Sequence, residues 1–110
     1  MIDGLWIVHY EGIQGEGSGV LVFTHGRALG GDIGYTYEGN YEIKDNWIAA
    51  SVHVTNYLPK VASMLGFGFV GDFDLELKAP IKGNVIQATM SVVGHPDMSI
   101  VAKLTKKSDL

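Results

Sequence analysis

The feature that most constrains this chain is a hydrophobic period of two that dominates its sequence. From Tyr35 to Lys44, the residues Tyr35, Tyr37, Gly39, Tyr41 and Ile43 alternate with Thr36, Glu38, Asn40, Glu42 and Lys44. A helix would scatter those tyrosines round its circumference, whereas a strand sets them in one row. After the polar turn Lys44-Asp45-Asn46 the alternation resumes, with Ile48, Ala50, Val52 and Val54 on one face and Trp47, Ala49, Ser51, His53 and Thr55 on the other. From Phe67 to Lys78 it returns, with Phe69, Gly71, Phe73, Leu75 and Leu77 against Val70, Asp72, Asp74, Glu76 and Lys78. Ile86, Ala88, Met90 and Val92 form a further inner row, and Ile100, Ala102 and Leu104 the last. Upstream, Leu5–Glu11, Gly19–Thr24 and Arg27–Ile33 have the same character, separated by a Gly15-Glu16-Gly17 loop and by His25-Gly26. The pattern predicts eight strands joined by short polar or Gly-containing turns, which is the signature of an antiparallel meander. Only Leu58–Leu65 breaks the rhythm; beside Pro59, it predicts one short helix with Val61, Met64 and Leu65 turned inward.

Eight strands in 110 residues leave no room for a second layer of helices, so the sheet must close or fold over itself. Meander order needs no crossing connections, and closure removes both edge strands. The expectation is therefore an all-β chain, a single domain over residues 1–110, forming a closed eight-stranded antiparallel up-and-down β-barrel. Composition bears on this through glycine, which at 15 residues is about twice average usage. Gly30, Gly31, Gly34 and Gly39 fall within or between the predicted strands, where sharp bends and bulges are made. The chain has no Cys, so no disulfide closes the barrel and no thiol chemistry is available.

Charge narrows the partners. Twelve acidic residues against eight basic ones give a net charge of −4, and Arg27 is the sole arginine. Nucleic-acid binding needs clustered basic side chains, and the one cluster, Lys103, Lys106 and Lys107, reads as a solvated tail, so no nucleic acid is expected. Met1–Trp6 lacks the positive region of a signal peptide, and no stretch approaches the length of a membrane helix. These features make a soluble, cytoplasmic protein without a membrane partner the expectation.

Candidate chemistry is sparse. Gly66-Phe67-Gly68-Phe69-Val70-Gly71 spells a nucleotide-binding pattern, yet it opens an alternating strand rather than a helix and so predicts no phosphate cradle. Asp72, Asp74 and Glu76 share one strand face at roughly 7 Å spacing, too divergent to surround a hard cation. The four histidines show no metal spacing; His25 and His95 fall in predicted turns, and His9 and His53 face outward from strands. No nucleophile elbow is present. The reading is a non-enzymatic protein with no catalytic residues, no metal site and no cofactor.

Three surfaces remain as candidates. Trp6, Tyr35, Tyr37, Tyr41, Phe69 and Phe73 would point inward, as packed core or as the lining of a small-molecule cavity. Leu5 and Ile7 on the first strand would face outward beside Val93 and Val101 on the last two, giving an apolar strip that either forms a dimer interface or is covered by the Leu58–Leu65 segment. Asp32, after Gly30-Gly31, would accept hydrogen bonds from backbone N–H groups at a bulge.

Several short segments, in order, resemble the GrlR family: Asp3-Gly4-Leu5-Trp6, Gly17-Ser18-Gly19-Val20, Gly30-Gly31-Asp32 and Tyr37-Glu38-Gly39. The similarity runs over nearly the whole chain, including strand spacing. It implies a lipocalin-like barrel that forms homodimers and has no enzymatic activity. It further implies a cytoplasmic negative regulator, linked to type III secretion gene expression, that binds and sequesters a transcriptional activator. In that family an acidic run in a strand-connecting loop is tied to activator binding. The corresponding turn here is Ile43-Lys44-Asp45-Asn46, where Asp45 is the single acidic residue, so the resemblance assigns partner binding to Lys44, Asp45 and Asn46. The alternative function left open is a lipocalin-like carrier of a small molecule.

Overall fold

A computed structural model describes residues 2–12, 15–58 and 72–110. They form strands β1 (Gly4–Gly12), β2 (Gly15–Thr24), β3 (Arg27–Gly31), β4 (Tyr35–Lys44), β5 (Trp47–Asn56), β6 (Phe73–Lys82), β7 (Val85–Val92) and β8 (His95–Asp109). Each pairs antiparallel with its sequence neighbours, and β8 returns to pair with β1, so the eight strands make one closed barrel in meander order.

The period of two becomes the inside and the outside of the wall. On β5, Ile48, Ala50, Val52 and Val54 are buried while Trp47, Ala49, Ser51 and His53 are exposed, as the alternation predicts. The inner rows of β6, β7 and β8 follow suit, with Leu75, Leu77, Ile86, Ala88, Ile100, Ala102 and Leu104 buried. Trp6 is fully buried against Phe23 in an edge-to-face contact at 5.7 Å, and Phe23 meets Tyr41 in the same way at 5.1 Å. The Trp6 indole N–H donates to the Ile2 carbonyl at 2.8 Å, so this buried polar group is satisfied. A second buried cluster, containing Tyr35, Val52, Val54, Leu75, Val92 and Ile100, lies towards the other end of the barrel.

Closure depends on close backbone approach at glycine. A Cβ at Gly30 would lie 2.0 Å from the Val20 carbonyl oxygen, and one at Gly39 would lie 2.1 Å from the Ser51 carbonyl oxygen. No side chain fits there, so β3 and β4 bend against their neighbours only because these positions carry none.

Some boundaries differ from the sequence expectation. Gly15-Glu16-Gly17 is not a loop but the start of β2, paired with Gly12, Glu11 and Tyr10. β3 stops at Gly31, because Asp32 turns the chain, and His95 opens β8. β6 continues past Pro80 to Lys82; the β6–β7 ladder skips Lys78–Pro80, so the missing proline N–H costs no bond on that side. The predicted helix lies outside the described residues apart from Leu58, as do Phe69 and the Gly66–Gly71 pattern, and no helix occurs among the described residues. Among the described residues there is no helix long and apolar enough to cross a membrane.

Candidate functional sites

The turn singled out for partner binding is the tip of the β4–β5 hairpin. Asp45 and Asn46 have φ of 53° and 66°, so Lys44–Trp47 is a two-residue loop with both central residues left-handed. This type I′ geometry matches the twist of the flanking strands, and Asp and Asn tolerate it better than other side-chain-bearing residues. The Ile81 N–H donates to the Asn46 carbonyl at 2.7 Å and ties the tip to β6. Every residue from Glu42 to Trp47 is exposed, including two large apolar ones, Ile43 and Trp47, each 46% exposed.

That exposure has a topological cause. β3 is short and its first residue, Arg27, pairs with Asn40; the Tyr41 N–H still reaches the Gly26 carbonyl at 2.9 Å. Beyond that bond Glu42–Lys44 overhang the rim with no β3 residue in register. Ile43 belongs to the inner row by alternation, but the barrel wall ends before it. Sequence reasoning placed Ile43 on the inner row and Trp47 on the face opposite Ile48, where it is exposed; the length of β3 relative to β4 is the signal that would have found the exposure of Ile43. Below the tip, outward residues of β4–β7, among them Asn40, Glu42, Ser51, Glu76, Lys78 and Thr89, line an open trough of about 680 Å³.

The four residues of the expected dimer strip do not form one surface. Leu5 and Ile7 are outward and half-buried, but across the β1–β8 seam they face Ser108 and Thr105. Val101 lies opposite Glu11, and the His9–Lys103 pair separates it from Ile7. Val93 sits in the β7–β8 turn rather than on a strand. The seam register decides this; on the other side of β1, Leu5 and Ile7 lie opposite Val22 and Val20 of β2, with Leu29 of β3 beyond Val22.

The inward aromatics divide between the two ends. Trp6 and Tyr41 belong to the filled end, where the Tyr41 hydroxyl donates to Asp3 Oδ1 at 2.9 Å. That bond holds the Asp3 carboxyl below its ordinary range, helped by the His25 N–H. Tyr35, Tyr37 and Phe73 stand at the other end, with Tyr35 and Phe73 rings 6.2 Å apart.

Asp32 organises that second end. Its Oδ1 accepts the N–H groups of Gly34 and Tyr35, each at 2.9 Å, which is the backbone role its sequence position predicts. Its Oδ2 accepts the Tyr10 hydroxyl at 2.6 Å and the Tyr37 hydroxyl as well. The Tyr57 hydroxyl adds a bond to the Asp32 carbonyl at 2.6 Å. Four donors thus saturate the carboxylate and lock the β3–β4 turn to β1 and β4. Burial, then the bond to Asp32, pushes both phenols well above the ordinary tyrosine range. Sequence reasoning did not join Tyr10 to Asp32, since the contact exists only once β1 lies beside β2 and β2 beside β3.

Outside the wall, the Asp72-Asp74-Glu76 row is exposed, as expected. Register sets His53 opposite Asp74, with Nδ1 2.7 Å from its carboxylate and Nε2 3.4 Å from that of Asp72. The Asp74 bond, opposed by partial desolvation and aided by Asp72, raises the His53 pKa. Among the described residues no group of His, Asp and Glu side chains converges as a metal site. No protein-family model matches the chain, and no curated protein is significantly similar to it.

Proposed function

We propose that this chain is a non-enzymatic regulatory barrel that binds and withholds a protein partner through the β4–β5 hairpin tip. The observation that carries the reading is the overhang of Glu42–Lys44 beyond β3, with Ile43 and Trp47 displayed on a tip fixed by its type I′ turn. An unpartnered strand edge can accept an added strand, and a rigid exposed Trp is the kind of side chain that dominates interface energy. Lys44, Asp45 and Asn46 would then set polar contacts around those two anchors. The resemblance to the GrlR family favours a cytoplasmic transcriptional regulator as the partner and a homodimer as the working state. The acidic character of the chain supports a protein target over DNA.

The test is affinity capture from the source cells with the wild-type chain and the Trp47→Ala and Ile43→Asp variants, all confirmed folded. The reading predicts a transcriptional regulator on the wild type and at least tenfold less on either variant. Equal recovery on all three would refute the tip as the contact, and recovery of self alone would refute the partner.

A further inference from the structure

At the filled end Trp6, Phe23, Ile48, Ile86 and Leu104 are fully buried and only rim residues such as Tyr41 and Ile81 are half-buried; around the Asp32 end half-buried inner residues are more numerous. Tyr10, Tyr37, Phe73, Met90 and Met98 all sit at inner-row positions of their strands and yet remain half-buried, packed against the second core cluster. These residues ring the rim at which Asp32 stands. The Tyr35 ring lies deeper in the same cluster and is 6% exposed, and its hydroxyl is fully buried with no hydrogen-bond partner. Leaving such a group unmade is costly, so native proteins rarely do so without a reason.

We propose that this mouth is a binding site for a small, uncharged ligand of one or two rings, whose carbonyl or hydroxyl oxygen accepts the Tyr35 hydroxyl proton. Size follows from the packing. An eight-stranded barrel holds at most one small ligand, and Trp6, Phe23 and Ile48 already fill the other end. Charge follows from the lining. The walls are Val52, Val54, Leu75, Val92 and Ile100, and no Lys or Arg of the described residues stands at an inner position in this half. Among the described residues, the charged side chain that the inner hydroxyls meet at this mouth is the Asp32 carboxylate, which repels an anion and whose four accepted bonds leave it no demand for a cation. The Tyr10 and Tyr37 hydroxyls are committed to Asp32, so among the described inner residues of this half Tyr35 is the one that offers a free hydroxyl donor. The site is distinct from the hairpin tip, which caps the opposite rim, and stands whether or not a protein docks there.

The probe is 6-propionyl-2-dimethylaminonaphthalene, an uncharged two-ring ketone whose emission shifts to the blue in apolar surroundings. Titrated with the purified full chain, it is expected to bind saturably, one per barrel, with a blue shift. An anionic naphthalene sulfonate should bind at least tenfold more weakly. Tyr35→Phe keeps the ring and deletes the donor, so affinity for the ketone should fall about five- to tenfold, the worth of one hydrogen bond. The unliganded Tyr35→Phe protein should melt at the same temperature or higher, since it loses an unserved hydroxyl. Met98→Trp, which narrows the mouth without touching Tyr35, should abolish binding in a folded protein. The proposal is overturned by absent saturation, by equal ketone affinity in wild type and Tyr35→Phe, or by preference for the sulfonate. A clear drop in the melting temperature of unliganded Tyr35→Phe would also overturn it, because the hydroxyl would then already be served within the protein.

Discussion

Replacing Asp32 with Ala removes the acceptor of four hydrogen bonds at once: two backbone N–H groups of the β3–β4 turn and the hydroxyls of Tyr10 and Tyr37. A hydrogen bond to a charged group is worth about 1.5–3 kcal/mol net, so simple addition gives roughly 6–12 kcal/mol. That sum is too large, since the four bonds form one network and the half-buried phenols regain water when released. A loss of about 3–4 kcal/mol is the expectation, a large share of the 5–15 kcal/mol or so available to a domain of this size. Asp32→Asn should cost about half as much. Its amide oxygen can still take the two N–H groups, and its NH₂ can donate to the phenol oxygens, but the phenol protons then lose their acceptor. Urea denaturation measures both. With a slope near 1.5 kcal/mol per molar, the Asp32→Ala midpoint should fall by about 2 M with the slope unchanged. Tyr37→Phe should cost about 1 kcal/mol in the wild type and less than half of that in the Asp32→Ala background. An Asp32→Ala loss below about 1 kcal/mol, or full additivity with Tyr37→Phe, would refute the description of Asp32 as the lock of the mouth.

Three further outcomes follow from the same geometry. The folded chain keeps the Tyr10 and Tyr37 protons above the pH, roughly 10, at which the unfolded chain releases them, so their contribution is complete below that pH and stability falls as pH rises beyond it. Urea midpoints between pH 9 and 11 should drop steeply for wild type and less for the Tyr10→Phe/Tyr37→Phe protein; equal slopes would contradict this. His53 should titrate above the ordinary imidazole value, its pairing with Asp74 stabilising below about pH 6.5 and fading as pH rises through the folded pKa. Asp74→Asn should bring the NMR midpoint down, and an unmoved midpoint would remove Asp74 as the cause. Gly39→Ala, whose Cβ would meet the Ser51 oxygen at 2.1 Å, should cost more than about 3 kcal/mol or prevent folding, while near-wild-type stability would show that β4 need not bend there.

Much of the fold was legible because a closed barrel turns a local property, alternation, into a global one. Ile48, Ala50, Val52 and Val54 could be assigned inward from sequence alone, since a period of two leaves only two faces. The Asp32 turn was legible for a similar reason, its backbone partners lying within three residues. The rest depended on pairing register, which no single strand carries. Tyr10 reaches Asp32 across 22 positions, and His53 meets Asp74 across 21. The same register parts Val101 from Ile7, which alternation had set on one surface. Ile43 shows the other limit, because its face was read correctly but the wall beside it ends at Arg27.

The proposed docking of a protein at the hairpin tip is tested most directly by site-specific photocrosslinking in the source cells. A photoreactive residue would stand at Trp47 in one sample and, as a matched exposed control on the far wall, at Lys103 in another. The account predicts a crosslink from position 47 to a transcriptional regulator, lost when Ile43→Asp is added, and none to that protein from position 103. Crosslinking of the regulator from position 103 alone, or no regulator from position 47, would contradict it.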